Sequence, residues 1–183
     1  LQDKYNILII KSAGNCDNFV YGKPKSRISK SADSIRSIVV GSIAHKKEKG
    51  DLVEKDYPSP FTRVGRGPQF IIKPDVVHYG GNAGFNEDGI LKTTGVKSFG
   101  IDGKINLACG TSFSTPRITN LIAGLYSNIN EEFDPLLLKA LLIHSSSYPQ
   151  NIKMPKNEII TQYGYGIPKK VSDILYNSPN EVT

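Results

Sequence analysis

The sequence has few cysteines and no long apolar run. Two cysteines, Cys16 and Cys109, stand in a chain of 183 residues, which is too few for a disulfide framework and suits a reducing compartment. The longest apolar stretches are residues 7–10 and 136–143, and Lys139 interrupts the second. Both are far shorter than the roughly 20 apolar residues of a membrane-spanning helix. The sequence therefore predicts neither a disulfide-stabilised small domain nor a membrane partner.

A start methionine and a signal peptide are also lacking. The chain opens with Leu1-Gln2-Asp3-Lys4, so we expect that it begins inside a longer protein. Its composition, 38% hydrophobic and 22% charged, is that of a globular chain with enough residues for one domain and its core.

The chain is basic, with 23 Lys and Arg against 17 Asp and Glu, a formal net charge of +6. The basic residues gather in two loops, and these are Lys23, Lys25, Arg27 and Lys30, and then Lys46, Lys47 and Lys49. No aromatic residues interleave with them and no nucleic-acid motif accompanies them, so we interpret them as solvated surface. A nucleic-acid-binding domain is the alternative, and it predicts affinity that falls steeply with salt.

The apolar pattern indicates an α/β fold with a mostly parallel sheet flanked by helices. Nearly continuous apolar runs at Tyr5–Lys11 and Ser37–Ala44 are typical of strands buried on both faces. Phe70–Val77 is a further extended segment, in which Pro74 indicates a sheet edge or a strand end. The Gly- and Asn-rich residues 80–89 are predicted to form turns.

The second half of the chain predicts a hairpin, two helices and a final turn. Asp102-Gly103 lies between two short extended runs, residues 96–101 and 104–108, as a hairpin turn would. One helix is expected from about Ser112 to Asn128, and another after Asp134, with Asp134 as its cap and Pro135 in its first position. Tyr163–Lys169 is predicted to be a turn or a strand.

The segment GTSFSTP, residues 110–116, places a serine at the start of the first of these helices. The first N–H groups of a helix have no intrahelical partners and carry the positive end of its dipole, so they stabilise a nearby anion. Ser112 is therefore a candidate nucleophile, whereas the simpler alternative is that Thr111 or Ser112 caps a core helix. Pro116 is expected within the first turn, where a missing N–H costs nothing.

Five segments, taken in order, resemble those of the subtilisin-like serine proteases, or subtilases. They are SAGN at Ser12–Asn15, SPFTRVGRGP at Ser59–Pro68, KPDVV at Lys73–Val77, GTSFSTP at Gly110–Pro116 and YGYG at Tyr163–Gly166. The resemblance covers essentially the whole chain, and several ordered motifs are far more specific than one. It favours the nucleophile over the simple cap.

The resemblance implies a site for peptide-bond hydrolysis through an acyl-enzyme. Ser112 is implied as the nucleophile, and its backbone N–H and the Asn15 side-chain amide as the two donors of the oxyanion hole. Ser12, Ala13 and Gly14 are implied to border the pocket for the substrate residue before the cleaved bond. The substrate is a protein or peptide; no cofactor is implied, and no metal ligands can be assigned.

The catalytic Asp and His of a subtilase are not found in this sequence. In the family both precede the oxyanion Asn, and here His45, His78 and His144 stand in other contexts. We therefore interpret residues 1–183 as the C-terminal portion of a subtilase catalytic domain that lacks its N-terminal half. An inactive subtilase-like binding module is the alternative, because a serine without a base is a poor nucleophile.

Two weaker expectations follow from the resemblance. The run KPDVVHYGGN, residues 73–82, is similar to a bacterial branch of subtilases that is associated with an ATPase partner and lacks secretion signals. It predicts a cytoplasmic location, with secretion as the alternative. The implied fold also places a strand of the upstream half beside Tyr5–Lys11, so that half is itself an expected partner.

Overall fold

The computed structural model describes residues 2–129 and 132–176. Seven strands are assigned in them, and these are β1 (Ile10–Ser12), β2 (Ile38–Ile43), β3 (Val76–Tyr79), β4 (Asn82–Phe85), β5 (Leu91–Thr94), β6 (Val96–Phe99) and β7 (Ile105–Ala108). The helices of these ranges are α1 (Gln2–Tyr5), α2 (Thr111–Asn128), α3 (Pro135–His144), α4 (Lys156–Tyr163) and α5 (Val171–Leu175), with short 3-10 turns between strands.

A three-stranded parallel sheet with the order β1-β2-β3 forms the centre of the molecule. Every residue of β2 is buried, as the predicted strand at Ser37–Ala44 requires. One face packs on α2 and α3, through Ile38, Val40 and Val76. On the opposite face Val39 joins a small cluster with Ala13, Ile28 and Ala32. The predicted α/β class with helices flanking a parallel sheet is thus confirmed.

The first strand is much shorter than its apolar run predicts. Gln2–Tyr5 is helical and Asn6 has a φ of +47°, so the strand begins only at Ile10. Gln2 determines this path, since its carbonyl accepts from the Ile7 N–H and its side-chain oxygen accepts from the Ile9 N–H. Ile7 is left 41% exposed. The prediction of a strand over Tyr5–Lys11 was therefore wrong in its first half.

The Gly- and Asn-rich segment 80–89 is not only turns, because it contains strand β4, which pairs antiparallel with β5. Asn82 is fully buried, and its Nδ2 donates to the carbonyls of Lys46 and Val53. A side chain on Gly84 would clash, since a Cβ there would lie 1.9 Å from the Gly50 carbonyl oxygen. The composition thus reflects close backbone approach within a strand rather than a turn.

The predicted hairpin and both predicted helices are present. β6 and β7 pair antiparallel around Asp102-Gly103, where Gly103 has a φ of +73°. Asp134 caps α3, accepting from the N–H groups of Leu136 at 2.8 Å and Leu137 at 3.2 Å.

Pro116 does not lie in the first turn of its helix. Because α2 begins at Thr111, Pro116 occupies the second turn, where its missing N–H would have bonded the carbonyl of Ser112. Two hydroxyls reinforce the turn before it, since Ser114 and Thr115 both donate to the Thr111 carbonyl.

The predicted extended segment Phe70–Val77 was wrong in most of its length, because β3 begins only at Val76 and residues 68–70 form a 3-10 turn. Near the C-terminus, α4 has no counterpart in the sequence-based prediction. It ends at the fully buried Tyr163, and the chain then turns so that Ile167 forms an isolated bridge with Ser147.

A buried ion cluster holds the start of β3 against β2 and α3. Asp75 is 3% exposed and bonds two ammonium groups, Lys73 through Oδ2 and Lys139 through Oδ1. Its Oδ2 also accepts from the Val39 N–H at 2.7 Å. Both lysines donate to the Ser37 carbonyl as well. Burial lowers the pKa of Lys73, and the Asp75 carboxylate opposes that shift.

Candidate active site

Helix α2 begins at an exposed serine. Gly110 precedes the helix with a φ of +141°, a conformation that favours glycine, and its carbonyl accepts from the Phe113 N–H. Ser112 lies in the first turn and is exposed. Among the described residues, no hydrogen bond of its N–H or of its hydroxyl is found. One hydroxyl and one backbone donor are therefore free at the positive end of an 18-residue helix.

Asn15 is held with its amide nitrogen free. Its Oδ1 accepts from both the N–H and the hydroxyl of Thr111, each at 3.0 Å. Because the oxygen is the atom that accepts, Nδ2 is the atom left to donate. The space beside Nδ2 is open because residue 110 is glycine. Any side chain there would place a Cβ 3.1 Å from Nδ2 and would obstruct it. Thr111, which the sequence offered only as an alternative helix cap, thus orients Asn15.

The free donors of Asn15 and Ser112 lie on the same side of Gly110. A Cβ on Gly110 would lie 3.1 Å from Asn15 Nδ2 and 3.8 Å from the Ser112 nitrogen. Donors preorganised in this way stabilise the negative charge that develops on a carbonyl oxygen during nucleophilic attack.

The Ser12–Gly14 segment leads into this site from the end of β1. Ser12 is half-buried, whereas the Ala13 side chain is fully buried in the cluster under the sheet. Ala13 therefore presents only its backbone towards the site. Gly14 has a φ of +93°, and Arg63 packs on it so closely that a Cβ would lie 2.9 Å from Arg63 Cδ. Arg63 belongs to the SPFTRVGRGP segment, Ser59–Pro68, but no role was predicted for it from the sequence.

The subtilase family model matches residues 2–166, which is most of the chain. The chain belongs to the subtilase family. Among curated protein sequences, none matches it.

Solved structures show the same fold. The epidermin leader peptide processing protease from Staphylococcus aureus shares 18% identity with a TM-score of 0.65, over 99% of this chain and 42% of its own. The prenylagaramide maturation protease PagA shares 18% identity with a TM-score of 0.64, over 94% of this chain and 51% of its own. The patellamide maturation protease PatA shares 20% identity with a TM-score of 0.54, over 94% of this chain and 52% of its own. The chain thus spans about half the length of these structures.

A subtilase serine needs a histidine, and none of the histidines described lies within hydrogen-bond distance of Ser112. His78 lies in β3, at the edge of the described central sheet. Its Nδ1 accepts from the Tyr79 N–H at 2.8 Å. Burial, and then the charge of Arg117, lower the pKa of His78 to about 4. His144 is the last residue of α3. This subtilase chain therefore holds no base for Ser112 among residues 2–129 and 132–176.

An open cavity of about 460 Å³ runs along the flank of α2. Its walls come from the helix, from β6 and from the end of β3, and the residues that line it include His78, Phe99, Phe113, Pro116, Arg117 and Asn120. A second cavity of about 380 Å³ adjoins it and shares Val96, Lys97 and Arg117. It also contains His45, whose buried Nδ1 has no partner. This flank is thus basic and uncovered.

The low pKa of His78 predicts a pH-dependent stability. An unfolded histidine binds a proton below its ordinary pKa of 6.5, whereas the folded chain does so only near pH 4. The unfolding free energy should therefore be highest above pH 6.5 and fall as the pH drops towards about 4, by roughly 3 kcal/mol for this residue.

Urea unfolding of the 183-residue chain, followed by circular dichroism between pH 7 and pH 4, measures this effect. Carboxylates also titrate in this range, so the quantity to compare is the difference between the wild type and His78→Asn. We expect the stability of the wild type relative to His78→Asn to fall by roughly 3 kcal/mol between pH 7 and pH 4. If the unfolding free energies of the two proteins change in parallel with pH, the low pKa of His78 is contradicted.

Both cysteines are free thiols near this site. Cys16 is buried directly after Asn15, and Cys109 is partly exposed just before Gly110. Burial raises the pKa of Cys109, so its thiol is protonated at neutral pH.

No cluster of three or more potential metal ligands occurs within the described ranges. None of the helices assigned there is long and apolar enough to cross a membrane.

Proposed function

We propose that residues 1–183 are the C-terminal portion of a subtilase catalytic domain, which hydrolyses peptide bonds when an upstream half supplies the catalytic Asp and His. The observation that carries the proposal is the bond from Thr111 to Asn15 Oδ1. It leaves Nδ2 free to donate beside Gly110, where the Ser112 N–H is a second free donor. A helix cap alone would not require this arrangement.

The reaction assigns a role to each group. The imidazole of the upstream half takes the hydroxyl proton as Ser112 Oγ attacks the substrate carbonyl carbon. The oxygen becomes an anion and accepts hydrogen bonds from Asn15 Nδ2 and the Ser112 N–H. The C–N bond then breaks, the proton passes to the leaving amine, and water hydrolyses the Ser112 ester.

Two surfaces support an upstream half. In the described sheet, β1 pairs with β2 on one side, and its other edge is where a strand of the upstream half would lie. The α2 flank is also open, and the hairpin beside it exposes Phe99 by 85%, Ile105 by 64% and Leu107 by 68%. An apolar patch of this kind favours association with another polypeptide segment. The solved structures of similar fold are about twice as long as this chain, a length that leaves room for such a segment.

The substrate is a protein or peptide, as for the leader-processing and maturation proteases of similar fold. An ATPase partner and a cytoplasmic location stay predictions from residues 73–82. An inactive subtilase-like binding module is a second candidate, and it is favoured by the absence of any described histidine beside Ser112.

Reconstitution tests the proposal. The chain by itself should not cleave a fluorogenic peptide library, because Ser112 has no base. The same chain preceded by its own upstream sequence should cleave the library and react at Ser112 with a fluorophosphonate, as found by peptide mass spectrometry. A complete domain that shows neither reaction would leave the binding module as the function.

A further inference from the structure

The segment that carries Asn15 has one paired edge and one open edge. On one side, the Arg63 N–H donates to the Gly14 carbonyl at 3.0 Å and the Cys16 N–H donates to the Phe61 carbonyl at 2.8 Å. Backbone groups alternate in direction along an extended strand. The N–H and C=O of Asn15 itself therefore point to the opposite edge, away from residues 61–63.

Arg63 reaches across the segment to that open edge. Its stem lies on Gly14, where a side chain would clash. Its Nε donates to the Asn15 carbonyl at 2.9 Å, and its Nη1 donates to the Arg27 carbonyl at 3.0 Å. Two hydrogen bonds and the contact with Gly14 hold the guanidinium in one place beside the oxyanion donor.

The charge of Arg63 is not neutralised within residues 2–129 and 132–176. A guanidinium has five N–H donors, and two of those of Arg63 are used on carbonyl oxygens. No described carboxylate forms an ion pair with it, whereas its neighbour Arg27 pairs with Asp33 at 3.5 Å. The three N–H groups that remain on Nη1 and Nη2 can donate to the oxygens of a carboxylate.

The oxyanion site determines which part of a substrate meets these N–H groups. The substrate carbonyl lies between Asn15 Nδ2 and the Ser112 N–H, so the residue that bears it lies beside Asn15. The backbone of residues 61–63 occupies one edge of Asn15. The substrate residue therefore lies at the other edge, where the Arg63 guanidinium is held.

We propose that Arg63 selects an acidic side chain, glutamate or aspartate, on the residue before the cleaved bond. This inference rests on the proposed function. Arg63 binds the carboxylate and is a specificity-determining residue that takes no part in bond breaking.

The test uses the complete domain and two fluorogenic peptides that differ only in glutamate or glutamine before the cleaved bond. We expect kcat/KM to be about tenfold higher for the glutamate peptide, as one charge-assisted contact provides. Arg63→Gln should remove this preference by slowing only the glutamate peptide. Arg63→Lys should retain part of it, and Arg63→Glu should reverse it in favour of the glutamine peptide, because two carboxylates repel each other. Arg66→Gln removes one charge from the same loop and should leave the preference unchanged.

The outcomes separate the two proposals. If the complete domain cleaves neither peptide and Ser112 does not react with a fluorophosphonate, the proposed function fails and this inference falls with it. Equal cleavage of both peptides by the wild type overturns the role of Arg63 alone. So does an Arg63→Gln variant that slows both peptides equally, because that result shows a purely structural residue.

Discussion

Replacing Ser112 by alanine in the complete domain should lower turnover by roughly a million-fold, the loss that removal of the nucleophile causes in subtilisin itself. Ser112 is exposed, and no hydrogen bond of its hydroxyl is found among the described residues, so the substitution removes little packing and no described hydrogen bond. The thermal unfolding midpoint should therefore stay within a degree or two. The measurement is kcat on the best peptide of the library, together with a calorimetric scan.

Two other variants show whether this loss is specific. Ser127→Ala removes an exposed hydroxyl at the far end of the same helix and should leave kcat unchanged. Asn15→Ala removes one oxyanion donor and should lower kcat by about a hundred- to thousandfold with KM little changed, again a subtilisin value. Full turnover in Ser112→Ala would show that another group attacks the peptide.

The second large effect concerns stability. Asp75→Asn should lower the unfolding free energy by about 3–5 kcal/mol, the cost of leaving a buried charge without its partner. Lys73 is fully buried and Lys139 is mostly buried, so their ammonium groups would face a neutral amide. Part of the cost will be relieved as Lys73 loses its proton, since burial already lowers its pKa.

Urea unfolding of the wild type and the variant, followed by circular dichroism, gives the change directly. Asp88→Asn is the matched control, because Asp88 is exposed and its removal leaves no buried charge. It should change the stability by less than about 0.5 kcal/mol. If Asp75→Asn is as stable as this control, the ion cluster does not stabilise the fold.

The parts of the fold that could be predicted from the sequence are those in which local pattern and tertiary environment agree. Strand β2 is an apolar run with both faces covered, so every one of its residues is buried. The predicted start of the first strand was wrong because Gln2 accepts hydrogen bonds from the N–H groups of Ile7 and Ile9. An apolar run in the sequence does not indicate such bonds. The prediction of turns alone over residues 80–89 was wrong because glycine there allows close backbone contact within strand β4.

The candidate site divides in the same way. By itself, the sequence determined the order of the subtilase motifs, the start of α2 at Gly110-Thr111-Ser112 and the capping of α3, because these depend on neighbouring residues. Only the tertiary structure decided the direction of the Asn15 amide, which depends on Thr111, 96 positions away. It also decided that Arg63 lies 48 positions from the Asn15 carbonyl in sequence but 2.9 Å from it in space. No local periodicity encodes such contacts, because they form only when the sheet brings distant segments together.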